Sequence, residues 1–129
     1  MEQPRNKEKI LSAGTLIFIA CWAAYCASYL GRINYTAALT AIVADGVFSK
    51  SHAGLIGTVY FFCYGAGQIF SGILGDRVSP YKMVGTGLVG TVCANILMPL
   101  CAKSYIVMSV VWGLNGIVQS MLWTPILYI

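Results

Sequence analysis

Four long apolar runs, separated by a few polar residues each, decide what this chain can fold into. They cover residues 10–43, 53–74, 83–101 and 105–129. In lipid a backbone must satisfy its own N–H and C=O groups, and an α-helix does so within one segment. A crossing takes about 20 residues, so the last three runs are each one crossing. The first is over-long, at roughly 50 Å if helical throughout, and must tilt, protrude or break near Gly31. Composition closes off the soluble alternative. The chain is 58% hydrophobic and 9% charged, whereas a soluble domain carries about 25% charged residues. The expected fold is all-α: a polytopic transmembrane helical bundle of about four helices behind a cytoplasmic tail at residues 1–9.

The same residues exclude several function classes. Cys21, Cys26, Cys63, Cys93 and Cys101 show no CxxC or Cys/His spacing and read as small buried hydrophobes. His52 is the one histidine and falls in a loop, which argues against a His-based metal site or catalytic triad. The net charge of +4 is scattered along the chain, so no nucleic-acid surface is expected. The first apolar run is too long for a signal-peptide core and lacks a clear small-residue cleavage site. It reads as a retained helix. No catalytic residue, metal or cofactor is expected.

The polar breaks set the topology. Asp45-Gly46 and Ser49–His52 form the first loop, with Ser51 a candidate N-cap. Residues 75–80 form the second, and Ala102-Lys103-Ser104 the third. Such short connections make neighbouring helices antiparallel. With the N-terminus in the cytoplasm, Arg5, Lys7, Lys9, Arg77 and Lys82 lie inside and only Lys50 and Lys103 outside. The positive-inside rule favours that orientation. Small residues recur along the second helix (Gly54, Gly57, Gly65, Gly67, Ser71, Gly72, Gly75), the third (Gly87, Gly90, Thr91, Ala94) and the fourth (Gly113, Gly116, Ser120). They suit close helix packing in lipid.

Arg32 is the most informative residue. An arginine at membrane depth costs at least about 2.5–3.5 kcal/mol on insertion scales. Taken alone, it reads either as a cavity residue or as a cation snorkelling to the interface at a helix end. Its neighbours tip the balance. Tyr25, Tyr29, Arg32 and Tyr35 are four, three and three apart and share one helical face. Tyrosines over about 15 Å of helix reach deeper than an interfacial belt. Tyr60, Tyr64 and Gln68 repeat the pattern on the second helix, as do Trp112, Asn115, Gln119 and Trp123 on the fourth. Three polar faces on three helices favour a shared cavity. A guanidinium in that cavity suits phosphate or carboxylate, because its planar fork meets two oxygens at once.

The stretch Gly72-Ile73-Leu74-Gly75-Asp76-Arg77, followed by Lys82, resembles the loop motif of the major facilitator superfamily. Ser79-Pro80-Tyr81 departs from its usual continuation. The resemblance implies a gate motif at Gly72, Gly75, Asp76, Arg77 and Lys82, with Asp76 and Arg77 as a cytoplasmic latch. By its position Asp76 can also accept from the first turn of the next helix. Residues 25–35 and 115–125 are similar to the first and fourth helices of organophosphate:phosphate antiporters. That implies substrate phosphate at Arg32 and substrate-lining tyrosines at Tyr25, Tyr29 and Tyr64. With the face argument, the candidate substrate-binding set is Arg32, Tyr25, Tyr29, Tyr35, Tyr64 and Gln119. Ile33 and Gln68 stand where well-known members carry lysines, which puts sugar-phosphate selectivity in question. The anion:cation symporters of the same superfamily share a similar stretch, except that Gly31 replaces their aspartate.

The resemblance implies twelve helices in two halves, of which this chain holds about the first four, a partial major facilitator fold. The expected partners are a small anionic substrate, membrane lipid and the missing helices of a parent transporter; no nucleic acid is expected. The chain by itself is not expected to transport. Two competing classes are a four-helix multidrug exporter and a non-transporting membrane assembly subunit. The first depends on a glutamate in its first span, and the glutamates here are Glu2 and Glu8. The second does not need an arginine–tyrosine face.

Overall fold

A computed structural model describes the backbone of residues 4–127 and the side chains of residues 9–127. Four helices follow in order: α1 (Pro4–Ala44), α2 (Lys50–Gly75), α3 (Pro80–Leu100) and α4 (Tyr105–Ile126). All four are long and apolar enough to cross a membrane. The chain is therefore an integral membrane protein. The expected end of the last helix at residues 128–129 lies outside the described residues.

Helix α1 does not break at Gly31. It runs unbroken for 41 residues, about 61 Å at the helical rise, and begins within the segment read as a tail. Gly31 instead serves close approach: a Cβ there would collide with the Thr91 methyl group of α3. Helix α2 begins earlier than expected, and its N-cap is Ser49 rather than Ser51. The Ser49 hydroxyl accepts from the His52 N–H at 3.3 Å. Asp76 is the C-cap of α2, and the N-cap of the following helix is Ser79, without a side-chain cap bond. Helix α3 starts from Ser79 with Pro80 in its first turn, where a missing N–H costs nothing.

Helix α4 is the centre of the bundle. It lies against α2 on one side and α3 on the other, and glycines set both contacts. A Cβ on Gly116 would sit 2.5 Å from the Tyr60 carbonyl oxygen, and one on Gly67 would sit 2.5 Å from Ser120 Oγ. On the α3 side, a Cβ on Gly87 would meet Leu122 and one on Gly90 would meet Val118. The α2–α4 contact also carries a buried hydroxyl pair, Ser71 with Ser120 at 2.9 Å.

The outer surface is what lipid requires. Leu16, Phe18, Phe62, Phe70 and Leu100 are all at least 70% exposed. The cysteines depart from the expected burial: Cys26 and Cys93 are exposed and the other three half-buried. An apolar thiol needs no protein interior when its solvent is lipid. Between α1, α2, α3 and α4, the buried side chains Tyr35, Ile56, Tyr60, Met98, Met108 and Trp112 form the core. The α1–α2 and α3–α4 loops lie at the same end, where the His52 ring stacks on Tyr105 at 4.1 Å.

Candidate functional site

Arg32 is at mid-depth, not at an interface. Its Nε–H donates to the Tyr60 hydroxyl at 2.9 Å and to Gln119 Oε1 at 3.4 Å. Tyr60 lies ten residues from the start of α2 and fifteen from its end, about 15 and 22 Å along the axis. That geometry removes the snorkelling alternative.

The surrounding bonds fix every partner's role. The Tyr60 hydroxyl donates to Gln119 Oε1 at 2.6 Å, and Gln119 Nε2 donates to the Ser28 carbonyl at 3.2 Å. The Gln119 amide therefore has one orientation that fits, oxygen toward Arg32 and nitrogen toward α1. The guanidinium carbon lies 4.6 Å from the ring centroid of Tyr64, 5.2 Å from Tyr29 and 5.8 Å from Tyr60. All three fall within reach of a cation–π attraction.

This packing leaves Arg32 with an unfilled requirement. The acidic side chains among the described residues, Asp45 and Asp76, lie at helix ends, so none neutralises Arg32. Its bonds to Tyr60 and Gln119 both start at Nε. Beyond Nε, the other hydrogen-bonding neighbour of the guanidinium is the Tyr64 hydroxyl, and no carboxylate faces the Nη edge among the described residues. Aromatic faces and hydroxyl dipoles hold the cation without cancelling its charge. Such a site attracts an anion, which would meet the Nη edge of the fork.

A cavity of about 140 Å³ opens there, lined by Tyr25, Ser28, Tyr29, Arg32, Tyr64, Gln119, Leu122 and Trp123. One water needs about 10–15 Å³ by this kind of measure, so several waters or a small anion fit. A larger cavity of about 350 Å³ lies between α1 and α3, beside Tyr35, Phe48, Met98 and Trp112. It holds no charged side chain. It is the roomier of the two, but the smaller cavity is the one that presents a charge.

Five of the six candidate substrate-binding residues line this one cavity: Arg32, Tyr25, Tyr29, Tyr64 and Gln119. Tyr35 does not. Its hydroxyl donates to the Ala53 carbonyl at 2.5 Å and its ring lies 5.5 Å from Trp112. Three residues past Arg32, the helix has turned Tyr35 away from the cavity and into the core. Gln68, on the polar face of α2, accepts from the Thr124 hydroxyl at 3.3 Å. Asn115 is fully buried, and neither amide atom has a partner among the described residues. Tyr60 is the residue that periodicity placed on a polar face without a role; only the fold shows that it holds Arg32. Ser28 contributes a carbonyl, which no side-chain pattern can announce. Asp76, Arg77 and Lys82 are exposed around the α2–α3 turn, and Gly72 and Gly75 are half-buried on the last turns of α2.

The Major Facilitator Superfamily profile matches residues 21–129. The chain belongs to that superfamily. It is 35% identical over 103 residues to the membrane sensor protein UhpC of Escherichia coli, covering 80% of this chain and 23% of UhpC. It is 32% identical over 109 residues to a probable hexose phosphate transport protein of Chlamydia pneumoniae, covering 84% of this chain and 24% of that protein. It is 32% identical over 112 residues to the glycerol-3-phosphate transporter of Bacillus subtilis, covering 84% and 25%. These relatives match the organophosphate:phosphate antiporter family that residues 25–35 and 115–125 resemble. The chain spans about a quarter of their length. No solved structure matches the chain.

Proposed function

We propose that the Arg32 cavity binds the phosphate group of an organic phosphate ester, or inorganic phosphate, in a transporter that exchanges the two. The carrying observation is the guanidinium at mid-depth, fixed at Nε by Tyr60 and Gln119, with no carboxylate beside it among the described residues. Tyr25, Tyr29 and Tyr64 supply hydroxyls and rings around the anion. Tyr25 and Trp123 also border a separate apolar cleft of about 330 Å³ beside Ile17, Phe18 and Trp22. No covalent chemistry is involved. Exchange belongs to a protein in which this bundle rocks against a second one, with Asp76 and Arg77 latching the two at the cytoplasmic face. The N-terminus is cytoplasmic in this reading.

Similarity to a membrane sensor supports a second reading, in which the same site reports the anion instead of moving it. Binding is common to both readings, and flux separates them.

The test is binding of radiolabelled phosphate and glycerol 3-phosphate to the chain in nanodiscs, wild type against Arg32→Lys. Lysine keeps the charge but loses the fork and the Nε bonds, so affinity should fall at least tenfold. Equal affinity in the two proteins would overturn the anion site.

A further inference from the structure

We infer that Asn95, on α3 and outside the cavity, is a positioning residue that sets the rotation of α1 and thereby aims Arg32. The inference rests on the Arg32 site but not on which anion fills it. Asn95 makes three hydrogen bonds. Its Nδ2 donates to the Gly31 carbonyl at 3.1 Å and to the Thr91 carbonyl at 2.9 Å, and its Oδ1 accepts from Asn34 Nδ2 at 3.0 Å. Both donor positions and one acceptor position are used, so the amide has a single satisfied orientation. Flipping it would set its oxygen against two carbonyl oxygens.

The two α1 groups that Asn95 holds flank Arg32. Gly31 comes immediately before it and Asn34 two residues after. One turn before Asn95, the Thr91 methyl group fills the space that a Cβ on Gly31 would need. A bond alone would leave α1 free to slide; a steric fit alone would leave it free to roll. Together they fix both. Elsewhere most α1 side chains face outward, and the other ties of α1 to its neighbours are the Tyr35 hydroxyl on the Ala53 carbonyl and Gln119 Nε2 on the Ser28 carbonyl. If α1 rolls, Arg32 swings relative to Tyr60 and Gln119, which are fixed on α2 and α4. A group about 5–6 Å from the helix axis moves about 1 Å for every 10° of roll, which is enough to break a 2.9 Å bond.

The experiment uses the full chain in nanodiscs, labelled with ¹⁵N-arginine and ¹⁵N-tryptophan. The chain has three arginines, Arg5, Arg32 and Arg77, so the Nε–H spectrum is simple, and Arg32→Lys assigns the Arg32 signal. Asn95→Leu keeps the helix lipid-compatible and removes all three bonds. It should shift or broaden the Arg32 Nε–H signal before any ligand is added. The other two arginine signals should stay in place. It should also weaken phosphate binding roughly tenfold, and that loss should vanish in an Arg32→Lys background, since coupled residues are non-additive. A general structural defect would move the tryptophan indole signals as well. Should Asn95→Leu fail to fold, Asn34→Leu breaks only one of the three bonds and should shift the same signal less. An unmoved Arg32 signal in a folded variant overturns the inference. If the signal moves but wild-type chain binds no phosphate, the positioning role stands and the phosphate reading falls.

Discussion

Replacing Tyr60 by phenylalanine removes one oxygen and two hydrogen bonds. Arg32 Nε keeps only its 3.4 Å contact to Gln119, and Gln119 Oε1 loses its 2.6 Å donor. Hydrogen bonds between helices in lipid average about 0.6 kcal/mol and reach about 1.7. Tyr60→Phe should therefore destabilise the bundle by about 1–2 kcal/mol and also weaken phosphate binding, because Arg32 is no longer held. Tyr35→Phe should destabilise by about 1 kcal/mol and leave binding unchanged, since its hydroxyl serves the Ala53 carbonyl away from the cavity. Thermal unfolding and phosphate titration on the two variants separate the roles. Spacing alone placed Tyr25, Tyr29 and Arg32 on a common stripe, because i, i+3 and i+4 positions coincide on any helix. It could not separate Tyr35 from that stripe. The stripe is wide, and which edge meets the cavity depends on neighbours that sequence does not position.

The glycines make the same point at the level of helix pairs. The chain shows many small residues in its second, third and fourth spans, and generic packing explains most of them. The structure sorts them. Gly54, Gly65 and Gly72 have open space where a Cβ would go, while Gly116 has the Tyr60 carbonyl oxygen at 2.5 Å and the Tyr64 amide nitrogen at 3.1 Å. Those two atoms are α2 backbone, which cannot rotate aside. Gly116→Ala must push α2 away from α4, and Tyr60 and Tyr64 travel with it. We expect a loss of about 1–3 kcal/mol, the range for overpacking, with phosphate binding lost as well. Gly54→Ala should be neutral or slightly stabilising, because alanine is the better helix former. A Gly116→Ala protein as stable as Gly54→Ala would mean that α2 and α4 do not touch as described. Small-residue content was readable from the chain; the pairing Gly116–Tyr60 was not, because contact partners follow from the rotation of two helices about their axes.

At the level of the whole bundle, the two ends differ in a way that sets the direction of access. Toward the α1–α2 and α3–α4 loops, Tyr35, Ile56, Tyr60, Met98, Met108 and Trp112 pack together between Arg32 and that end, and the cavity beside them is apolar. Toward the other end, the cavity runs past Tyr25 and Trp123, and Trp123 is three residues from the end of α4. In the proposed reading, the anion reaches Arg32 from the side that carries the N-terminus and the α2–α3 turn. By the count of Lys and Arg, that side is expected in the cytoplasm. Cysteine labelling tests both steps, in a background with the five native cysteines replaced. A membrane-impermeant maleimide on intact cells should label Lys103→Cys and spare Lys82→Cys. Trp123→Cys should react only when the cytoplasmic face is opened to the reagent, and phosphate should protect it. The reverse pattern at positions 82 and 103 would invert the topology. If Trp123→Cys reacts from the side of Lys103, the core around Tyr35 and Trp112 is not the closed end, and the resting bundle opens outward.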